Sequence, residues 1–214
     1  MAARVISVML VDDHMLVRKG FRMLLQDAPD IKVVAEAESG EEACRLFAEC
    51  APDVVVMDIS MPGMGGIEAT RRILGRHPQA RILALSAHED TIHPRRALTA
   101  GASGYVSKRS APEALVSSIR QVAEGKKVID PAIAQELALS QLSATQSPVD
   151  VLSDREFEIF LHLARGKSVA AIAEMLHLSA STVGTHLYNI KQKLGAANAA
   201  ELTMMAVRSG LIDP

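Results

Sequence analysis

Hydrophobic and polar positions follow two regimes along this chain. In the first half, short apolar, β-branched runs alternate with longer stretches whose apolar residues recur at helical spacing. The runs cover residues 5–11, 31–37, 54–58, 81–85 and 104–107. The helical stretches between and after them cover residues 14–26, 40–50, 65–75, 90–100 and 111–124. Ser39-Gly40-Glu41-Glu42 reads as a capping box opening the second helix, and Pro112 falls in the first turn of the fifth, where proline is favoured. Val54-Val55-Val56-Met57 has no polar position, which predicts a strand buried on both faces. Five β/α units in strict alternation predict a parallel sheet with helices on both sides, a flavodoxin-like α/β domain.

The second half has no strand pattern. Residues 126–131 break the alternation, and residues 131–142 have helical period, as a linker helix would. Ser143-Ala144-Thr145-Gln146-Ser147-Pro148 is small and polar and is expected to be a flexible tether. Ser153-Asp154-Arg155-Glu156 is a second capping box, and its helix runs to near Gly166. Ser168 and Ser179 cap two more helices, the latter ending at Gly195, and Asn198-Ala199-Ala200-Glu201 opens a fourth. Val183, Leu187, Ile190 and Leu194 line one face of the third. Two helices joined by a tight turn, the second with a polar outer face, form the helix-turn-helix pattern. The expected division is 1–125 for the α/β domain, 126–148 for the linker and 149–214 for a small all-α domain.

Composition alters this picture little. Of 214 residues, 49% are hydrophobic and 22% charged, ordinary for a globular protein, and the absence of Trp leaves the core to aliphatic residues and Met. A net charge of −2 gives no hint of a nucleic-acid partner. Cys44 and Cys50 fit no metal or redox spacing. No apolar stretch is long enough to cross a bilayer, and the start lacks a signal-peptide pattern, so a cytoplasmic protein is expected.

The chemistry lies where the strands end. The first strand gives Asp12 and Asp13, the third Asp58, the fourth Ser86 and the fifth Lys108. Open α/β sheets gather such residues at one edge. Three carboxylates there repel one another and call for a cation, and oxygen-only ligands favour a hard ion such as Mg²⁺. A hydroxyl and an ammonium are the groups that would hold a phosphoryl oxygen.

The set Asp12, Asp13, Asp58, Ser86 and Lys108, in order and at strand ends over residues 5–125, resembles the receiver domain of bacterial two-component response regulators. The resemblance implies that Asp58 is the phosphoacceptor. It implies Mg²⁺ held by Asp13, Asp58 and the backbone carbonyl of Ser60, with Asp12 acting through water. It also implies that Ser86 and Lys108 bind the phosphoryl group and that Tyr105 is the aromatic switch. Arg109 stands where many receivers have proline, which weakens any expectation of a cis peptide before it.

Leu152-Ser153-Asp154-Arg155-Glu156 through Gly166, Ile172-Ala173, Leu178-Ser179, Thr182-Val183, His186, Ile190 and Lys193-Leu194 resemble the LuxR-type helix-turn-helix. A receiver followed by this module is similar to the NarL/FixJ class, and within it to the GacA/UvrY group, on stretches such as residues 61–71, 133–139 and 201–212. This implies a sensor histidine kinase as phosphodonor and a phosphorylated homodimer that binds promoter DNA to regulate, in the main to activate, transcription. The fourth helix of the module, with Met204, Met205 and Val207, resembles the LuxR-type dimer surface.

Opposite the apolar stripe the recognition helix shows Gly184, Thr185, Tyr188 and Lys191, flanked by Thr182, His186 and Lys193. No Asp or Glu occurs from Met175 to Ala200, so this face is locally cationic. Thr185 and Tyr188 are the expected base readers, and Ser181, Thr182, Lys191 and Lys193 the expected phosphate contacts. Gly184 either lets the helix approach the groove closely or weakens readout. Two other functions compete: a phospho-gated protein-interaction module whose helix-turn-helix no longer reads DNA, and an aspartyl-phosphate phosphatase. The second is disfavoured because Ser60 stands where those enzymes carry a second, proton-donating acid.

Overall fold

The computed structural model describes residues 4–87, 92–109, 112–142, 151–209 and 211–212. Its strands are β1 (Ile6–Val11), β2 (Ile31–Ala37), β3 (Val54–Asp58), β4 (Ile82–Ser86), β5 (Gly104–Ser107) and β6 (Val128–Ile129). Its helices are α1 (Met15–Gln26), α2 (Gly40–Cys50), α3 (Gly66–Arg76), α4 (Ile92–Thr99), α5 (Pro112–Ala123), α6 (Pro131–Leu142), α7 (Asp154–Ala164), α8 (Val169–Met175), α9 (Ala180–Leu194) and α10 (Ala199–Arg208). The expected starts of α4 and α5, at Asp90 and Ala111, and the polar tether at residues 143–148 lie outside the described residues. Two compact units result, Met1–Leu142 and Ser143–Pro214, with α6 in the first.

The sheet of the first unit is parallel in the order β2-β1-β3-β4-β5-β6. It has one strand more than the sequence pattern predicts. Val128 and Ile129 pair with Gly104 and Tyr105, but two residues are too few for a strand period to register. Side chains alternate across the sheet even where both faces are buried. Val8, Leu10, Val54, Val56, Leu83 and Leu85 meet Leu25 of α1 and Leu115, Ile119 and Val122 of α5. Met9, Val11, Val55, Met57 and Ile82 meet Ala43 and Phe47 of α2 and Ala69 and Ile73 of α3. This double cover makes β3 a continuous apolar run, and its one polar residue, Asp58, stands at the carboxyl end. The chain order reverses between β1 and β3, and β1, β3, β4 and β5 all end on that edge.

The cap of α2 differs from expectation in one half. Ser39 Oγ accepts the Glu42 N–H at 3.2 Å, but the Glu42 carboxylate takes the Glu38 N–H at 2.9 Å rather than that of Ser39. The box at α7 is complete: Glu156 N–H donates to Ser153 Oγ and Ser153 N–H to Glu156 Oε2. Ser168, Ser179 and Asn198 cap α8, α9 and α10 as their sequence positions predict.

The second unit packs Phe157, Ile159 and Phe160 of α7 among its buried residues, with Ile172 of α8, Val183 and Ile190 of α9, and Leu202 and Ala206 of α10. The turn between α8 and α9 passes through His177 in the left-handed region at φ 52° and closes with the Leu178 N–H on the Ala173 carbonyl. On α10, Leu202 and Ala206 face inward, Met205 and Val207 are half-buried, and Met204 is exposed. A Cβ built on Gly184 meets nothing within 4 Å. Gly184→Ala should therefore stabilise the second unit by about 1 kcal/mol, the helix-propensity difference, seen as a higher thermal midpoint. An unchanged or lower midpoint would mean that the surroundings of Gly184 are not open.

Candidate functional site

Asp58 ends β3 and is 1% exposed. Its Oδ2 accepts from Lys108 Nζ at 2.7 Å, and its Oδ1 accepts the Ser60 N–H at 3.0 Å. Lys108 follows β5, and its ammonium bridges to Asp12 Oδ2 at 2.7 Å. The other Asp12 oxygen accepts the His14 N–H at 2.8 Å. Three residues far apart in sequence, Asp12, Asp58 and Lys108, thus meet because β1, β3 and β5 end at one edge of the same parallel sheet. Asp13 completes the pocket. Its Oδ1 is buried with no hydrogen-bond donor aimed at it, although His14 Nδ1 lies within ion-pair distance at 2.9 Å.

Electrostatics follow from burial. Desolvation pushes the Asp58 carboxyl above its ordinary range, and the Lys108 charge counters only part of this. Burial alone would lower the Lys108 ammonium, but Asp58 and Asp12 more than offset it and hold it above its usual value. Three carboxylates against one ammonium leave the pocket short of positive charge. Ligand atoms of Asp12, Asp13, His14 and Asp58 lie within 4.8 Å of one another. An orphaned carboxylate oxygen at Asp13 beside two more carboxylates fits a hard divalent cation.

Ser86 ends β4, is fully buried, and lies one residue beyond the partner of Asp58 in the β3–β4 register. Its carbonyl accepts the Lys108 N–H at 2.8 Å. Tyr105 lies on β5, two residues before Ser107. It is 0% exposed and packs with Ile59, Ile67, Ala84, Ala97 and Ala102 between the sheet and α4. No cis peptide occurs among the described residues, Lys108–Arg109 included.

Two pocket residues escaped the strand-end reading. His14 follows Asp12-Asp13 directly, and adjacency was its signal. Arg18 falls on the same stripe of α1 as Phe21 and Leu25, and a cation on a buried stripe is a signal too. Its Nη1 donates to the Asp12 carbonyl at 2.6 Å and its Nη2 to Glu38 at 2.6 Å, with Nε 3.4 Å from Glu36. It ties the end of β1, and so the acidic pair, to the end of β2.

On the recognition helix α9, Tyr188 is 63% exposed, Thr185 and Ser181 are exposed, and Thr182 and Gly184 are half-buried. Ser179 Oγ lies 2.8 Å from both the Ser181 and Thr182 hydroxyls. Lys191 Nζ donates to the Ala197 carbonyl at 3.2 Å. Lys193 Nζ is engaged by Glu156 Oε2 at 2.6 Å, so a phosphate would have to share it with the α7 capping carboxylate. Burial lowers the imidazoles of His162 and His186 below their usual value. Nearby Lys167 and Arg165 add to this at His162, and Glu156 partly opposes it at His186. Both folded values lie under the ordinary imidazole value of about 6.5. Their contribution is therefore present above pH 6.5 and is lost as pH falls through the lowered folded values. The thermal midpoint of the second unit should drop across that window, and His162→Gln with His186→Gln should flatten the drop; an equally steep drop in the double variant would refute this.

A parallel α/β domain with an acidic pocket at its switch point, joined to a capped helix-turn-helix module, defines a phospho-receiver fused to a DNA-binding domain. Residues 8–120 match the response regulator receiver domain, and residues 150–206 match the luxR family of bacterial regulatory proteins. The chain belongs to the response regulators of two-component systems, a family of transcription regulators. It is similar to Response regulator UvrY of Escherichia coli (strain K12), 46% identical over 210 residues, covering 97% of this chain and 96% of that one. Response regulator GacA of Pseudomonas aeruginosa is 43% identical over 210 residues, covering 97% and 98%. Among solved structures, RcsB, seen as two dimers bound to two parallel DNAs, is 25% identical with a TM-score of 0.61, covering 94% of this chain and 98% of that one. Among the described residues no helix is long and apolar enough to cross a membrane.

Proposed function

We propose that Asp58 accepts a phosphoryl group from a phosphohistidine of a sensor kinase and that the phosphorylated chain, as a homodimer, binds promoter DNA to regulate transcription. The observation that carries this reading is Asp58 itself, buried at the strand end with Lys108 2.7 Å from one of its oxygens. A carboxylate oxygen forms the new P–O bond as the P–N bond to the imidazole breaks, and the imidazole nitrogen is then protonated. Lys108 faces the equatorial oxygens where charge spreads in the transition state. Asp13, Asp58 and the Ser60 carbonyl would hold Mg²⁺, with Asp12 acting through water. The ion would supply charge neutralisation between the carboxylates and the phosphoryl oxygens. Ser86 then binds the phosphoryl group, and Tyr105 follows the movement of Ser86. The site stores one group, and Ser60 at the second-acid position argues against phosphatase turnover.

On the output side Thr185 and Tyr188 read base edges, Ser181, Thr182, Lys191 and Lys193 contact the phosphate backbone, and Gly184 lies beside Thr185 on the groove-facing side. Lys193 does so while braced by Glu156. Dimeric RcsB on DNA supports the assembly by kinship. The protein would act in the cytoplasm. The 1–125, 126–148 and 149–214 division serves this scheme as receiver, linker and reader. Selecting bound sequences from a random DNA pool, with and without acetyl phosphate and Mg²⁺, tests the reading. Paired half-sites enriched only after phosphorylation, and altered by Thr185→Ala or Tyr188→Ala, are expected. Salt-independent retention with no enriched sequence would favour the alternative, a phospho-gated protein-interaction module.

A further inference from the structure

A flexible tether would leave β5 as the edge of the sheet and touch nothing in the receiver. Instead the chain after α5 returns to the sheet. Val128 N–H donates to the Ser103 carbonyl at 3.1 Å, and Asp130 N–H donates to the Tyr105 carbonyl at 3.2 Å. Tyr105 is registered with Ile129. The close approach is built into the sequence, because a Cβ on Gly104 would lie 2.5 Å from the Val128 carbonyl oxygen. Any larger residue there would push β6 off the sheet.

The helix that follows is joined to this strand without a loop. Ala134 N–H donates to the Asp130 carbonyl at 2.8 Å. Ile133, on its first turn, packs against the cluster of Ile59, Ile67, Ala84, Ala97, Ala102 and Tyr105. Besides Tyr105, two members of that cluster adjoin the phosphoryl pocket in sequence. Ile59 follows Asp58, and Ala84 lies two residues before Ser86. The linker therefore touches the candidate switch twice, through the backbone of Tyr105 and through its side-chain cluster.

We propose that β6 and α6 are the output element of the receiver, and that Ile133 is the positioning residue through which the packing of Tyr105 sets the placement of α6. This rests on the reading of Asp58 as phosphoacceptor and extends it. A change in how Tyr105 packs in this cluster changes the surface beneath Ile133. Packed interiors settle into discrete arrangements rather than deforming smoothly, so the shift passes to the helix as a whole. The chain beyond Leu142 carries it to the DNA-binding unit.

The test uses the full chain with beryllium fluoride and Mg²⁺ as the phosphoryl mimic. Amide exchange over residues 131–142 should change severalfold on loading, as for a helix whose docking is altered. In DNA binding, the wild-type gain on phosphorylation should be about tenfold, within the usual range of coupling between sites. Ile133→Ala should shrink that gain to under about twofold while Asp58 is labelled at the wild-type rate, and Ile133→Val should restore it. An Ile133→Ala chain that keeps the full gain, or α6 amides that do not respond to loading, overturns the proposal alone. A wild-type chain that takes no label at Asp58 overturns the phosphoacceptor reading and the proposal with it. Should Ile133→Ala lower the thermal midpoint, the exchange measurement on the wild type still decides.

Discussion

Asp58→Asn is expected to abolish labelling of the chain by acetyl phosphate in the presence of Mg²⁺. The amide keeps the shape of the carboxylate and the approach of the Ser60 N–H, seen at 3.0 Å. It removes the anionic oxygen that must form the P–O bond. Asp13 →Asn should act differently, raising the Mg²⁺ concentration needed for labelling while leaving Asp58 as the labelled residue. The mass of the peptide carrying the label distinguishes these cases. Label moving to Asp12 or Asp13 in the Asp58 variant would show that the pocket, rather than one residue, is the acceptor.

Gly66→Ala is expected to have the largest effect on stability. A Cβ at Gly66 would sit 2.0 Å from the Asp58 carbonyl oxygen and 2.8 Å from the Ile59 Cα. Both obstacles are backbone, so no rotamer change relieves them. Either α3 moves out or the end of β3 moves, and the second displaces the phosphoacceptor. The cost is about 3 kcal/mol or more, as for severe overpacking, which is a drop of roughly 10 °C in the thermal midpoint of a unit this size. Gly75, on the same helix, supplies the control, since a Cβ there meets nothing within 4 Å. Gly75→Ala should stabilise by about 1 kcal/mol. Equal midpoints for the two variants would mean that α3 does not need its close approach to Asp58.

Much of this molecule was legible in the sequence, for physical reasons that also explain what was not. The strand-end set Asp12, Asp13, Asp58, Ser86 and Lys108 could be placed because each follows an apolar run, and a parallel sheet brings such ends to one edge. The caps of α7 through α10 could be placed because Ser and Asn side chains satisfy helix N–H groups at fixed spacing. Strand β6 could not, since Val128-Ile129 is specified by the gap at Gly104 on another strand rather than by its own pattern. Arg18 reads as an interruption of an amphipathic stripe until Asp12, Glu36 and Glu38 are seen around its guanidinium. The Lys193–Glu156 pair spans α7 and α9 and leaves no local trace. The acidic pocket was thus a matter of local pattern plus topology, whereas the braces that hold it and the linker that leaves it are long-range contacts.

A phosphoryl group on Asp58 is expected to raise affinity for DNA. Titrating one promoter fragment at fixed salt with wild-type and Asp58→Asn protein, each before and after acetyl phosphate with Mg²⁺, tests it most directly. The treated wild type should bind about tenfold tighter, and the variant should show no change. Equal tightening of both proteins, or of neither, would contradict it.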